Sequence, residues 1–80
     1  MHEMRIVDSL ISDLKRLAQE NRAKRITKIY LRMGEFTELN EEIVSFALQE
    51  KGKNSPIDGA EVIFEKSPER ELKLVSFDCE

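Results

Sequence analysis

An unbroken amphipathic stripe at the head of the chain restricts the available folds more than any other feature. Ile6, Val7, Leu10, Ile11, Leu14, Leu17 and Ala18 recur at three- and four-residue spacing, with Asp8, Asp13, Lys15, Arg16 and Glu20 on the opposite side. This spacing predicts a helix over about residues 3–20, closed by Asn21 in a left-handed conformation. The period then changes. Residues 26–33 are rich in β-branched side chains, and from Lys28 onward Ile29, Leu31 and Met33 alternate with Lys28, Tyr30 and Arg32, the pattern of a strand with one buried face. Gly34 stops that strand, and residues 35–40 form the connection to a second helix.

Asn40 is a good helix cap, and Glu41 and Glu42 suit the positive end of a helix that runs from residue 40 or 41 to 51. Ile43, Val44, Ala47 and Leu48 form its expected buried stripe, Phe46 lies at the edge, and Gly52 supplies the closing glycine. After a loop over residues 53–59, the remainder reads as a hairpin, with strands at residues 61–65 and 72–77 and a turn at Ser67-Pro68-Glu69. The order helix-strand-helix-strand-strand predicts an α+β fold: a small two-layer sandwich with two helices packed on a three-stranded sheet.

With 40% apolar and 36% charged residues, the chain is expected to be neither disordered nor membrane-spanning. No apolar run approaches the ~18 residues of a bilayer-crossing helix. Asp8 and Asp13 break the only early segment that could imitate a signal peptide, so a cytoplasmic setting is expected. Eighty residues fit a single domain spanning residues 1–80. Domains of that size bury only about 60% of their unfolded surface, and their stability is marginal without reinforcement. One cysteine and one histidine cannot supply an internal disulfide or a closed Cys/His zinc site, which leaves dimerisation as the open route. Edge pairing or exchange of the terminal hairpin between two copies, hinged at Ser67-Pro68, is one form it can take.

Charge is unevenly placed. Residues 1–32 carry eight Lys/Arg against four Asp/Glu, and residues 33–80 carry five against twelve. The cluster Arg22, Lys24, Arg25, Lys28 and Arg32 is interleaved with no aromatic residue but Tyr30, and the acidic remainder repels a phosphate backbone, so nucleic acid is not expected as a partner. The cluster is expected to face an acidic partner or the chain's own acidic half.

The chemistry-bearing feature is Met1-His2-Glu3. A histidine in second position has a terminal amine one residue away. The Met1 amine, the deprotonated His2 amide and His2 Nδ1 can close fused five- and six-membered chelate rings around one ion. Three nitrogens in a plane suit nickel(II) or copper(II), whereas zinc prefers tetrahedral sites. Glu3, a side chain of the Glu38–Glu42 region, water or a partner's ligand can fill the fourth position. Because all three nitrogens must be unprotonated, affinity should climb with pH.

Met1-His2-Glu3-Met4 followed at once by an apolar helix resembles the start of the HypA/HybF family, nickel-insertion accessory proteins of [NiFe] hydrogenase maturation. The resemblance continues through Ala23 to Glu35, through Gly59-Ala60-Glu61-Val62 and through Arg70 to Phe77. It implies a metallochaperone and not an enzyme, with His2, Met1 and Glu3 at a nickel site. The partners it implies are a HypB-like GTPase and a hydrogenase large-subunit precursor. The family normally carries a zinc-binding lobe with two C-x-x-C pairs between the last two strands. Here Lys66-Ser67-Pro68-Glu69 stands in its place, so no zinc is expected, and a short turn near residues 66–70 is expected to join the flanking strands as neighbours. The alternative is a protein-interaction or oligomerisation module in which metal binding is lost or incidental.

Other residues have plainer readings. Cys79, expected beyond the last strand between Asp78 and Glu80, has little thiolate character because neighbouring negative charge opposes ionisation. Glu35, Glu38, Glu41 and Glu42 fit a solvated helix start, and Asn40 fits a helix cap better than a metal ligand.

Overall fold

The computed structural model describes residues 2–80. The elements follow in the order α1 (Met4–Glu20), β1 (Ile26–Met33), α2 (Glu41–Lys51), β2 (Glu61–Lys66) and β3 (Leu72–Cys79). This is the α+β arrangement expected, with a mixed sheet in the strand order β2-β1-β3.

α1 buries Val7, Leu10, Ile11, Leu14 and Ala18, while Ile6 at the rim of the stripe stays exposed. The helix closes differently from expectation. Asn21 keeps a negative φ and donates its side-chain amide to the Leu17 carbonyl at 2.7 Å. The left-handed residue is Arg22, with φ of 53°. The Arg22 N–H reaches the Gln19 carbonyl and the Ala23 N–H the Ala18 carbonyl, the paired bonds of a Schellman closure. A side chain that can bond the last turn itself leaves the strained position to its neighbour.

β1 is the central strand, and Ile26, Ile29, Leu31 and Met33 point into the core. Val62 and Phe64 from β2 and Leu72, Leu74 and Phe77 from β3 pack against the same cluster. The inward set on β3 changes phase between Leu74 and Phe77, and the pairing gives the reason. Tyr30 faces Ser76 and Leu31 faces Leu74, so Val75 is an extra, exposed residue that bulges the strand. β3 extends to Cys79, which faces Ile26 and therefore lies inside the last strand, not beyond it.

The expected hairpin is not formed. β2 pairs parallel to β1 on one side, and β3 pairs antiparallel to β1 on the other. Alternation and a turn motif identify two strands and a reversal, but neither records which strand lies between them. Since β1 and β2 run parallel, both finish at the same end of the sheet, and residues 67–71 must cross over the end of β1 to start β3. Ser67 N–H donates to the Met33 carbonyl at 3.0 Å and Gly34 N–H to the Glu71 carbonyl at 2.9 Å. A Cβ on Gly34 would stand 1.5 Å from the Glu69 carbonyl oxygen. Gly34 thus gives the crossing segment room to pass, and exchange of a terminal hairpin has no hairpin to exchange.

α2 starts as expected, with Asn40 Oδ1 accepting from the Ile43 N–H at 2.8 Å and Glu41 and Glu42 in the first turn. Its buried sector is narrower than expected, because Val44, Ala47 and Leu48 are buried while Ile43 is exposed. Gly52 follows with a negative φ, so its role is space: an added Cβ would meet the Leu48 carbonyl oxygen at 2.5 Å and the Ile57 side chain at 2.7 Å. Leu39 and Ile57, both in connections, are buried and complete the core, with Phe36 packed beside them.

On the open face of the sheet, Arg32 Nε pairs with Glu65 Oε2 at 2.5 Å, and the Tyr30 hydroxyl donates to Asp78 Oδ2 at 3.1 Å. The bond to the Asp78 carboxylate, followed by partial desolvation, holds the Tyr30 phenol above its ordinary pKa. That bond needs the phenolic proton, so its contribution is complete below the ordinary tyrosine range and is lost as pH rises through the elevated folded value.

Two measurements check this architecture. Gly34→Ala should cost about 3 kcal/mol or more in urea denaturation, since neither backbone segment at the crossing can move aside. Phenolate absorbance of the single tyrosine should titrate above the usual value of about 10 and fall back towards it in Asp78→Ala.

Candidate metal centre

The head of α1 places the residues singled out by the sequence. The His2 carbonyl accepts from the Arg5 N–H at 3.0 Å and the Glu3 carbonyl from the Ile6 N–H at 2.9 Å, so helical bonding begins at His2 itself. The His2 side chain is exposed. Backbone amides of a first helical turn have no partner within the helix, and the aligned peptide dipoles make that end positive. An amide nitrogen there can lose its proton without breaking a helical bond, and the resulting negative charge sits in a favourable field. Met1 lies outside the described residues.

Glu3 turns inward and is 7% exposed, the buried charged side chain of the described residues. Its Oε2 accepts from the Thr37 N–H at 3.2 Å and its Oε1 from the Glu38 N–H at 2.5 Å, both in the β1–α2 connection. Arg70 Nη1, in the crossing segment, lies 4.0 Å from Oε2, and Arg70 Nη2 donates to Thr37 Oγ1 at 3.4 Å. A buried carboxylate is tolerated where hydrogen bonds and a cation replace its water, and Glu3 has both. Its oxygens hold loop amides, so entering a metal's coordination sphere would cost those bonds. The sequence carries no local signal of this role: the amides are 34 and 35 residues away.

The other candidates resolve simply. Asn40 caps α2, as expected. Glu35, Glu38, Glu41 and Glu42 are exposed, and among the described residues no group of three or more His, Cys, Asp or Glu side chains converges on a common point. Cys79 is exposed. Of the basic cluster, Arg25 pairs with Glu80 and Arg32 with Glu65, both in the chain's acidic half.

The arrangement defines a class: a small sheet-and-helix domain with an exposed histidine two residues ahead of its first helix, beside a buried carboxylate anchored on loop amides. A family profile described as "HypA: Hydrogenase/urease nickel incorporation, metallochaperone, hypA" matches residues 1–79, and the chain belongs to the HypA family. The family is one of metallochaperones and not of catalysts, as the sequence implies.

The hydrogenase maturation factor HypA of Pyrococcus furiosus is 33% identical over 66 residues, covering 82% of this chain and 48% of that protein. The HypA of Methanopyrus kandleri is 36% identical over 60 residues, covering 75% and 42%. The chain thus spans about half the length of the curated relatives it matches. In fold it is similar to the solution structure of the Ni metallochaperone HypA from Helicobacter pylori, with a TM-score of 0.71 at 18% identity over 99% of this chain and 97% of that one. No helix among the described residues is long and apolar enough to cross a membrane.

The anchoring role of Glu3 has a direct consequence. Glu3→Ala leaves the Thr37 and Glu38 amides without their acceptor and should lower stability by about 1–3 kcal/mol. Glu3→Gln, which keeps one carbonyl acceptor, should lose less. Urea denaturation gives the totals, and amide hydrogen exchange at Thr37 and Glu38 should accelerate in both variants.

Proposed function

We propose that this chain is a single nickel-carrying domain, residues 1–80, that acts in hydrogenase maturation. In this reading nickel(II) is cargo, held by the Met1 amine, the ionised His2 amide and His2 Nδ1. The observation that carries it is a HypA-family match beginning at residue 1, with an exposed His2 two residues ahead of α1.

The first turn of α1 lies in the positive field that favours an ionised amide, and the His2 carbonyl is already held by Arg5. Glu3 contributes by holding its own peptide against the β1–α2 connection, so chelation need not order the backbone from scratch. With the Glu3 oxygens engaged on amides, the fourth position of the plane goes to water or to a ligand of the recipient. A recipient ligand can then enter before the His2 imidazole leaves, which permits transfer without free nickel. Protons compete for the amine, the amide and the imidazole, so affinity rises with pH.

The partners in this reading are a HypB-like GTPase and a hydrogenase large-subunit precursor, met in the cytoplasm. Zinc has no part in it, because residues 67–71 provide the crossing between β2 and β3 where family members carry a zinc lobe.

Nickel calorimetry on untagged protein, its initiator methionine verified by mass spectrometry, tests the site. His2→Ala and insertion of one residue before His2 should each abolish nickel binding while thermal unfolding stays unchanged. Unaltered nickel affinity in both variants overturns the assignment.

A further inference from the structure

We infer that the groove between α2 and the outer edge of β2 docks an extended, Lys/Arg-bearing segment of a partner protein, added to the sheet as a fourth strand. The nickel assignment has no part in this.

The groove is about 500 Å³ and is floored by Val62 and Phe64 beneath α2. Phe46 lines it and is 64% exposed, the most exposed of the large apolar side chains among the described residues. The outer edge of β2 pairs with no strand among the described residues. The other sheet edge differs: β3 is bulged at Val75, a device that discourages strand addition, whereas β2 pairs in unbroken register with β1 from Glu61 to Lys66. An unbroken edge beside an exposed aromatic offers both elements of strand-addition recognition, main-chain partners and a side-chain pocket.

Charge selects the occupant. Glu41 and Glu42 rim the groove, and β2 presents Glu61 and Glu65 on its other face. Glu65 is held by Arg32, but Glu41, Glu42 and Glu61 are in no ion pair among the described residues. The first turn of α2 accounts for the placement of Glu41 and Glu42, though not for an uncovered Phe46 beside them. A second copy fits poorly. With helices kept on one face, antiparallel β2–β2 pairing about Ile63 opposes Glu61 to Glu65 on both sides of the axis. Pairing about Phe64 sets Ile63 against Glu65, and either register brings a second acidic rim to the seam. An alternating strand avoids both faults: its apolar residues meet Phe46, Val62 and Phe64 on the helix face, its cations meet Glu61 on the other face, and Glu41 and Glu42 add to the negative field at that edge.

The test uses a short acetylated peptide of alternating lysine and valine, titrated into isotope-labelled protein and followed by amide NMR. Shifts should concentrate on residues 61–66 and 41–49, and binding should weaken as salt rises. Phe46→Ala, an exposed substitution that leaves the core intact, should weaken it about tenfold. Glu42→Gln combined with Glu61→Gln should remove most of the salt dependence. The inference is overturned by shifts confined elsewhere, or by equal binding of a glutamate-valine peptide or of the same lysines and valines in non-alternating order. A concentration-dependent dimer that Phe46→Ala abolishes overturns it as well, in favour of a second copy.

Discussion

A single buried carboxylate decides where the start of this chain lies. Glu3 joins three segments distant in sequence: the head of α1, the Thr37 and Glu38 amides of the β1–α2 connection, and Arg70 in the segment that crosses β1. Chain ends are ordinarily the least ordered part of a small domain, because few contacts offset the entropy of fixing them. Here a charge that could not be buried alone is made tolerable by backbone donors, and those donors in turn lose their freedom. The consequence is local: the peptide at residue 3 is fixed, while the His2 side chain remains in solvent. In the proposed nickel site, that combination would let the backbone grip an ion while the imidazole stays free to release it.

The topology brings the same three segments together at one end of the sheet. β1 and β2 finish there, β3 starts there, and residues 67–71 pass over Gly34 between them. The β1–α2 connection leaves from that point, so Glu3 needs only to reach inward from the helix start. Placing β1 in the middle also explains why its inward residues are the most completely buried of the sheet: it has a neighbour on each side and helices above, whereas β2 and β3 each keep an open edge.

Much of this was legible in the residues, for identifiable reasons. α1, β1 and α2 carry long periodic patterns bounded by Asn21, Gly34, Asn40 and Gly52, and their limits agree with the structure to within a residue. β2 and β3 were recognisable as strands, yet their partners were not, because alternation reports which face is buried and says nothing about the neighbour. The phase change between Leu74 and Phe77 is visible in the sequence and marks the bulge at Val75. Arg22 took the left-handed position expected of Asn21 because the asparagine side chain found the Leu17 carbonyl. At the candidate site, the identity of His2 carries its own chemistry and needs no fold to be noticed. The anchoring of Glu3 depends on amides brought close only by folding, and amides leave no trace in a sequence.

Size alone makes a chain of this length look in need of a second copy, but the structure adds core from places that periodicity does not flag. Leu39 and Ile57 are buried in connections, and Phe36, also in a connection, packs against the same cluster. No buried side-chain nitrogen or oxygen among the described residues lacks a hydrogen-bond partner. Both effects act against the marginal stability that surface-to-volume scaling imposes, the first by removing apolar area from water and the second by avoiding desolvation costs of about 1–3 kcal/mol per orphaned group. Reinforcement by hairpin exchange is closed, since β2 and β3 are separated by β1. What remains exposed differs between the two edges: Phe46, the most exposed of the large apolar side chains among the described residues, lies beside Glu41 and Glu42, whereas Ile6, next to Leu72 and Leu74 of β3, shares its groove with charges of both signs, Asp13, Arg16 and Lys73. Apolar surface left beside unpaired acids is better suited to a cationic partner than to a copy of itself, because in a symmetric pair each acid would meet its like.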